Sequence, residues 1–162
     1  MKQIPAGVEE ARVEAVRRER ILDTPPEQEF DDLAFLAAAA LRVPVVLINF
    51  VDRNRQWFKA RVGVSETEAP RFAGFCPHVV AGGRTLVVPD VSMQPEWRAA
   101  SAELGGTLRS YAGTPLISAD GFVLGSGCIG DGTPRQLGDD DARVLETRSE
   151  EHTSELQSHS FI

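Results

Sequence analysis

The chain has few of the residues that mark specialised protein classes. Its 162 residues include only two cysteines and three histidines, which favours free thiols over a disulfide scaffold. The net charge of −7 disfavours general binding to nucleic acid or anionic membranes, because both need a basic surface. No apolar run is long enough to span a membrane, no secretory signal is visible, and glycine-rich phosphate loops are absent. These absences predict one soluble, cytoplasmic domain that does not hydrolyse nucleotides.

The helical patterns lie at both ends of the chain and in its middle. Residues 8–24 predict a charged helix with a thin apolar stripe, and residues 24–42 predict a stronger helix with a continuous apolar face. Residues 75–83 and 93–104 predict two short helices. A last helix is predicted from residue 137, where an acidic first turn complements the helix dipole.

The first strand pattern is a nearly continuous run of branched apolar residues over 43–52, which is typical of a strand buried on both faces. Residues 56–63 follow after a short turn and alternate with period two. This alternation predicts a hairpin in which Phe58 and Ala60 share one face and Trp57 lies on the other.

Three further strands complete the predicted sheet. Residues 108–118 and 121–131 are joined by a tight turn and predict a second hairpin, while residues 85–90 predict a short strand and residues 65–74 a polar loop. Hairpin-linked strands with helices at the ends and in the middle predict an α+β domain with a mostly antiparallel sheet.

Four motifs carry a family resemblance, and they occupy residues 21–38, 43–63, 75–91 and 109–131. In their order and spacing they resemble the bacterial GAF sensory domains found in histidine kinases and cyclic-dinucleotide enzymes. That resemblance covers residues 9–145. It implies a central antiparallel sheet of five to six strands, with the terminal helices on one face and a roof of short helices and loops over a ligand pocket on the other.

The resemblance implies a non-catalytic sensory domain. A small ligand or a redox change would be relayed through terminal helices, which commonly pair in homodimers, to an output domain such as a kinase, cyclase or phosphodiesterase. The ligand stays open, a bilin or another small molecule included. Two alternatives also stay open: a thiol-based redox sensor or enzyme that uses Cys76, and a ligand-free dimerisation scaffold.

Cys76 and His78 fall on the roof in the arrangement that the resemblance implies. A metal site would need further ligands from carboxylates. A reactive thiolate, for redox sensing or covalent tetrapyrrole attachment, would need a lowered pKa, which a helix N-terminus or a protonated His78 could supply. The third interpretation is simple packing of Cys76 with His78 bonded to the loop. Pairing of Cys76 with Cys128 would resemble GAF-fold enzymes that reduce free methionine sulfoxide, although their cysteines are arranged differently.

Further candidates for ligand contact are polar or aromatic residues near the predicted pocket. An aspartate in the place of Asp90 most often caps the turn that follows it, and Arg109 is equally suited to pairing with Asp90 or Glu96. Relatives usually carry larger apolar residues where Gly127 and Gly130 stand, so these glycines either leave room for a ligand or loosen the core. The complete candidate set is Trp57, Cys76, His78, Asp90, Trp97, Arg109 and Tyr111.

The last fifteen residues differ from the rest of the chain. Residues 148–162 are polar, have no helical or strand period, and resemble the translation of a common sequencing adapter. We therefore expect an N-terminal extension over 1–8, a GAF domain over 9–147 whose last helix is cut short, and an artefactual or disordered tail.

Overall fold

One antiparallel sheet of six strands organises the computed structural model, which describes residues 3–136. The predicted C-terminal helix and tail lie outside the described residues. The elements are α1 (Ala6–Arg18), α2 (Gln28–Leu41), β1 (Val45–Val51), β2 (Arg55–Val62), β3 (Glu68–Pro70), α3 (Cys76–Gly82), β4 (Leu86–Val88), α4 (Arg98–Glu103), β5 (Ser110–Ile117) and β6 (Val123–Asp131). The strand order is β3-β2-β1-β6-β5-β4, so the apolar run of β1 lies centrally between β2 and β6. This confirms the predicted fold class.

Helices α1 and α2 cover one face of the sheet. Phe30 and Leu41 of α2 are buried against Val46, Ile48 and other apolar residues of the strands. Because Phe30, Ala34, Ala37 and Leu41 recur at three- and four-residue spacing, they form one apolar stripe, as the sequence predicts. In α1 the exposed Val8 lies off the buried stripe, which contains Val13 and Val16.

Strand β2 departs from the predicted alternation. The register shifts between Ile48 and Asn49, which pair with Ala60 and Phe58, and this leaves Lys59 as an extra residue in a β-bulge. The predicted grouping of Phe58 with Ala60 is therefore wrong. Trp57, which is 8% exposed, lies with Ala60 in the core under the helices. The region predicted as a polar loop also contains the short edge strand β3.

The other face of the sheet carries the roof, made of α3, α4 and two short 3₁₀ turns at Val91–Met93 and Pro95–Trp97. A second core fills the space between roof and sheet, and the sheet separates it from the helix-side core. Its buried members are Phe75, Cys76, Val79, Val88, Val91, Ala100, Tyr111 and Cys128.

Gly127 and Gly130 of β6 lie on opposite faces of the sheet. Gly127 pairs with Ile48 and so belongs to the helix side, while Gly130 pairs with Tyr111 on the roof side. A Cβ added to Gly130 would lie 2.9 Å from a methyl carbon of Leu108, so that side chain already occupies the space. Within residues 3–136, no helix combines the length and apolar character needed to cross a bilayer.

Candidate functional site

The two cysteines of the chain meet beneath the roof. Cys76 begins α3 and Cys128 lies in the middle of β6, next to Leu47 of β1. Their Sγ atoms are 3.7 Å apart, which is within hydrogen-bond distance for sulfur. Both are buried free thiols. The fold thus brings together two residues that are 52 positions apart in the sequence.

Tyr111 of β5 completes the contact around Cys76. Its phenolic Oη lies 3.3 Å from Cys76 Sγ. The side chain folds over Gly113, where a Cβ would lie only 2.3 Å from Oη, so the missing side chain at Gly113 makes room for the phenol. Phe75 stacks on the Tyr111 ring with 4.6 Å between centroids. The phenol is therefore held against the thiol on two sides.

The two thiols differ in how readily they ionise, because their pKa values shift in opposite directions. A hydrogen bond from the Cys128 thiol lowers the pKa of Cys76 to about 6 against the opposing effect of burial, and Ser126, Tyr111 and Asn49 act in the same direction as Cys128. The pKa of Cys128 is raised by its hydrogen bond to Cys76 and by burial. Burial also raises the pKa of Tyr111. The arrangement therefore favours ionisation of Cys76 over ionisation of Cys128.

Sequence reasoning missed Asn49 and Ser126, which extend this polar cluster. They are register partners on β1 and β6, and both are fully buried. Asn49 Nδ2 donates to Gln56 Oε1 at 2.8 Å, whereas Asn49 Oδ1 and Ser126 Oγ have no partner at hydrogen-bond distance among the described residues. Ser126 therefore influences the thiolate without a well-formed hydrogen bond. The sequence signal that could have identified Asn49 was the presence of an asparagine inside the apolar run of β1.

His78 is not among the groups that lower the pKa of Cys76. Its imidazole packs edge-on against Trp97, with 4.8 Å between ring centroids. Burial lowers the pKa of His78, which disfavours the protonated form that could act on Cys76. The leading causes of the low Cys76 pKa come instead from the neighbouring strands and from Tyr111.

The remaining candidates are divided among three places. Asp90 caps the first 3₁₀ turn by accepting from the backbone N–H of Ser92 at 3.0 Å. Arg109 donates to Asp90 Oδ1 at 3.1 Å on the protein surface. Hydrogen bonds from Ser92 and Arg109 lower the pKa of Asp90. Trp97 lies over Phe75 in the roof. Trp57 lies on the opposite face of the sheet, in the core under the helices.

The roof lies directly on the sheet. Trp97, Phe75 and Tyr111 form a continuous row of aromatic rings that ends at the Cys76 thiol. A ligand bound between roof and sheet would have to displace this row. Within residues 3–136, no group of three or more His, Cys, Asp or Glu side chains is placed to hold a metal ion.

We expect the reduced protein to become more stable as the pH rises from 7 to 8. An unfolded cysteine keeps its proton up to about pH 8.5, whereas folded Cys76 loses its proton above about pH 6. Since the unfolded state then binds more protons, the free energy of unfolding rises by about 1 kcal/mol per pH unit. His78 acts in the same direction only at lower pH, because its pKa is lowered from an ordinary value of 6.5.

Urea unfolding at several pH values between 7 and 8 measures this effect. Cys76→Ala is the control and should abolish the rise. An equal rise in wild type and variant would assign the linkage to another group and contradict the lowered pKa of Cys76.

Comparison with known proteins places this geometry in a family. The family description "GAF domain" matches residues 14–151. A cyclic di-GMP phosphodiesterase of Pseudomonas aeruginosa is 33% identical over 128 residues, which are 78% of this chain and 22% of that protein. The chain thus spans about a fifth of that curated relative.

Two solved structures share the fold. The GAF domain of an Acinetobacter phosphoenolpyruvate-protein phosphotransferase has a TM-score of 0.70 at 16% identity and covers 100% of this chain and 98% of its own. The free methionine-R-sulfoxide reductase of Neisseria meningitidis, solved with its substrate, has a TM-score of 0.67 at 19% identity, with 98% of this chain and 95% of its own covered.

Proposed function

Because this chain belongs to the GAF domain family, we propose that it is a sensory module that responds to oxidation of the Cys76–Cys128 pair. The observation that carries the proposal is the 3.7 Å separation of the two Sγ atoms. The pKa of about 6 at Cys76 makes that thiol the nucleophile, and Cys128 stays protonated as the resolving thiol. The packed roof favours this signal over a ligand bound beneath it.

Hydrogen peroxide is the oxidant in the proposed reaction. The Cys76 thiolate attacks one peroxide oxygen, the O–O bond breaks, and hydroxide leaves, so that Cys76 becomes a sulfenic acid. Cys128 then attacks the Cys76 sulfur, the S–O bond breaks, and the hydroxyl group leaves with the thiol proton as water. The two cysteines lose two electrons in total, and peroxide is reduced to one water and one hydroxide, which takes a proton from the solvent to become a second water.

Helix α3 provides a route from the disulfide to the terminal helices. An S–S bond is about 2.05 Å long, so closing the 3.7 Å gap moves the start of α3 relative to β6. The opposite side of α3, with Pro77 and Ala81, faces Ile4 and Pro5 at the start of α1 across a cleft. A shift of α3 would therefore change the width of the cleft beside α1, which provides the differential interaction that a relay requires.

The proposal extends to an output domain elsewhere in a longer protein and to pairing of two copies through the terminal helices. Exposed apolar side chains on both helices support the pairing, namely Val8 on α1 and Phe35 and Leu36 on α2. The residues of this domain do not determine which reaction the output domain catalyses.

We expect peroxide treatment to form an intramolecular Cys76–Cys128 disulfide. Mass spectrometry of the unreduced peptides should show the linked pair with a loss of two hydrogens, and hydrogen exchange should change in α1 as well as α3. Cys128→Ser should stop at the sulfenic acid. Absence of the linked peptide in wild type would remove the redox proposal, and a linked pair without any change in α1 would remove the relay.

A thiol enzyme is the second candidate, since a thiolate with an adjacent resolving thiol is also a catalytic arrangement. Repeated turnover of substrate distinguishes a thiol enzyme from a redox sensor. With free methionine sulfoxide and a regenerating dithiol, an enzyme consumes many equivalents of substrate per protein. A sensor is oxidised once by peroxide and leaves the sulfoxide unchanged.

A further inference from the structure

A cleft of about 830 Å³ separates the start of α1 from the roof. It lies at the far side of α3 from the cysteine pair, and nothing in the proposed redox chemistry uses it. Most of its walls are apolar, but one buried arginine and one carboxylate also line it. The lining residues are Gln3, Ile4, Pro5, Ala6, Glu9, Arg71, Phe72, Pro77 and Ala81.

Arg71 is incompletely paired in this cleft. Its side chain is 5% exposed, and its Nη2 donates to Glu9 Oε2 at 3.1 Å. Its Nε and Nη1 atoms are buried and have no hydrogen-bond partner among the described residues. The Phe72 ring covers the guanidinium at 4.6 Å from Cζ. Three N–H groups of a buried cation are thus left without an acceptor, which is costly in a folded protein.

The local charge is also unbalanced. Arg12 is 2% exposed and donates to Glu9 Oε1 from Nε at 2.9 Å. It also donates to the backbone carbonyl of Val51 at 2.6 Å. Although burial opposes its ionisation, Glu9 has a lowered pKa because both arginines bond and attract it. Among these three side chains, one carboxylate therefore faces two buried guanidinium groups, which leaves one excess positive charge. Burial, together with repulsion from Arg12, lowers the pKa of Arg71 against the attraction of Glu9.

We propose that this cleft binds an organic monoanion, a carboxylate on a small apolar body, with the carboxylate accepting hydrogen bonds from Arg71. Because Nε and Nη1 of Arg71 are buried under the Phe72 ring, the exposed Phe72 side chain has to swing aside as the ligand enters. The carboxylate then supplies the missing acceptor for the free N–H groups and neutralises the single excess charge. The apolar body lies against Phe72, Pro77 and Ala81. A phosphate dianion fits less well, because it would bring a second negative charge next to Glu9.

Benzoate is the test probe, with acetate and inorganic phosphate as comparators, measured by titration calorimetry on the full chain. We expect saturable binding of benzoate, weaker binding of acetate, and loss of affinity by about tenfold or more in Arg71→Met. Arg53→Met is the matched control. Arg53 is an exposed arginine that pairs with Glu10, and its replacement should leave binding unchanged.

A second variant leaves Arg71 in place. Ala81→Phe fills the apolar wall and should also weaken benzoate binding, so the proposal stays testable if Arg71→Met fails to fold. No saturable benzoate binding in wild type, equal binding in Ala81→Phe, or preference for phosphate would each overturn the proposal. Cys76→Ser should bind benzoate as wild type does, so this site and the redox proposal succeed or fail separately.

Discussion

Cys128→Ala is expected to lower the thiolate content of Cys76 by about tenfold at pH 7. With its pKa at about 6, Cys76 is about nine-tenths ionised at neutral pH. The hydrogen bond from Cys128 is the largest cause of that low value, and burial opposes it. Once the bond is removed, burial still opposes ionisation, and only Ser126, Tyr111 and Asn49 still favour it. Loss of a hydrogen bond to a charged group, worth about 1.5–3 kcal/mol, therefore raises the pKa and lowers the ionised fraction by about tenfold.

Thiolate ultraviolet absorbance, recorded against pH, measures this directly. Tyr111 does not interfere, because burial raises the pKa of its phenol. In the complementary control, Cys76→Ala, the remaining Cys128 should show no transition near pH 6. A transition near pH 6 that persists in Cys128→Ala would mean that another group, and not the second thiol, stabilises the thiolate.

Gly125→Ala is expected to destabilise the protein by about 3 kcal/mol, at the upper end of the range for overpacking. Gly125 lies in β6 opposite Phe50 of β1. A Cβ at this position would lie 1.8 Å from the backbone oxygen of Asn49 and 2.8 Å from the adjoining carbonyl carbon. Backbone atoms at the centre of a sheet cannot move aside as a flexible side chain does. The two central strands would have to separate.

Urea unfolding at fixed pH measures the loss, and Gly7→Ala is the matched control. Gly7 lies within α1, and a Cβ added there would meet nothing within 4 Å beyond its own helical turn. Because alanine has the higher helix propensity, the control should raise stability by up to about 1 kcal/mol. Similar stability of Gly125→Ala and wild type would show that β1 and β6 are not packed this closely.

The architecture was predictable because it depends on patterns with a definite period. The apolar run of β1 and the spacing of Phe30, Ala34 and Ala37 each predicted an element that the structure confirms. The bulge at Lys59 was not predictable. An inserted residue reverses the faces of the residues on either side without changing the composition of the strand, so Trp57 and Ala60 share a face.

The candidate site was predictable only in part. Cys76 and Tyr111 were both identified as candidates, but their contact depends on α3 packing over β5, which no local pattern reveals. The sequence pairing of Cys76 with His78 drew attention to the wrong partner, because the residue two positions along α3 turns toward Trp97. Cys128 and Asn49 reach the thiol through strand register. Long-range pairing, rather than proximity in the chain, determines the chemistry here.

Tyr111 is the only tyrosine in the chain, and its hydroxyl touches the Cys76 sulfur. The protein therefore carries a built-in spectroscopic reporter at its thiol. Ring-selective isotope labelling with tyrosine would yield a single aromatic signal, free of overlap, whose chemical shift follows the oxidation state of the neighbouring sulfur. No extrinsic dye or engineered tag would be needed to observe the site inside a larger assembly.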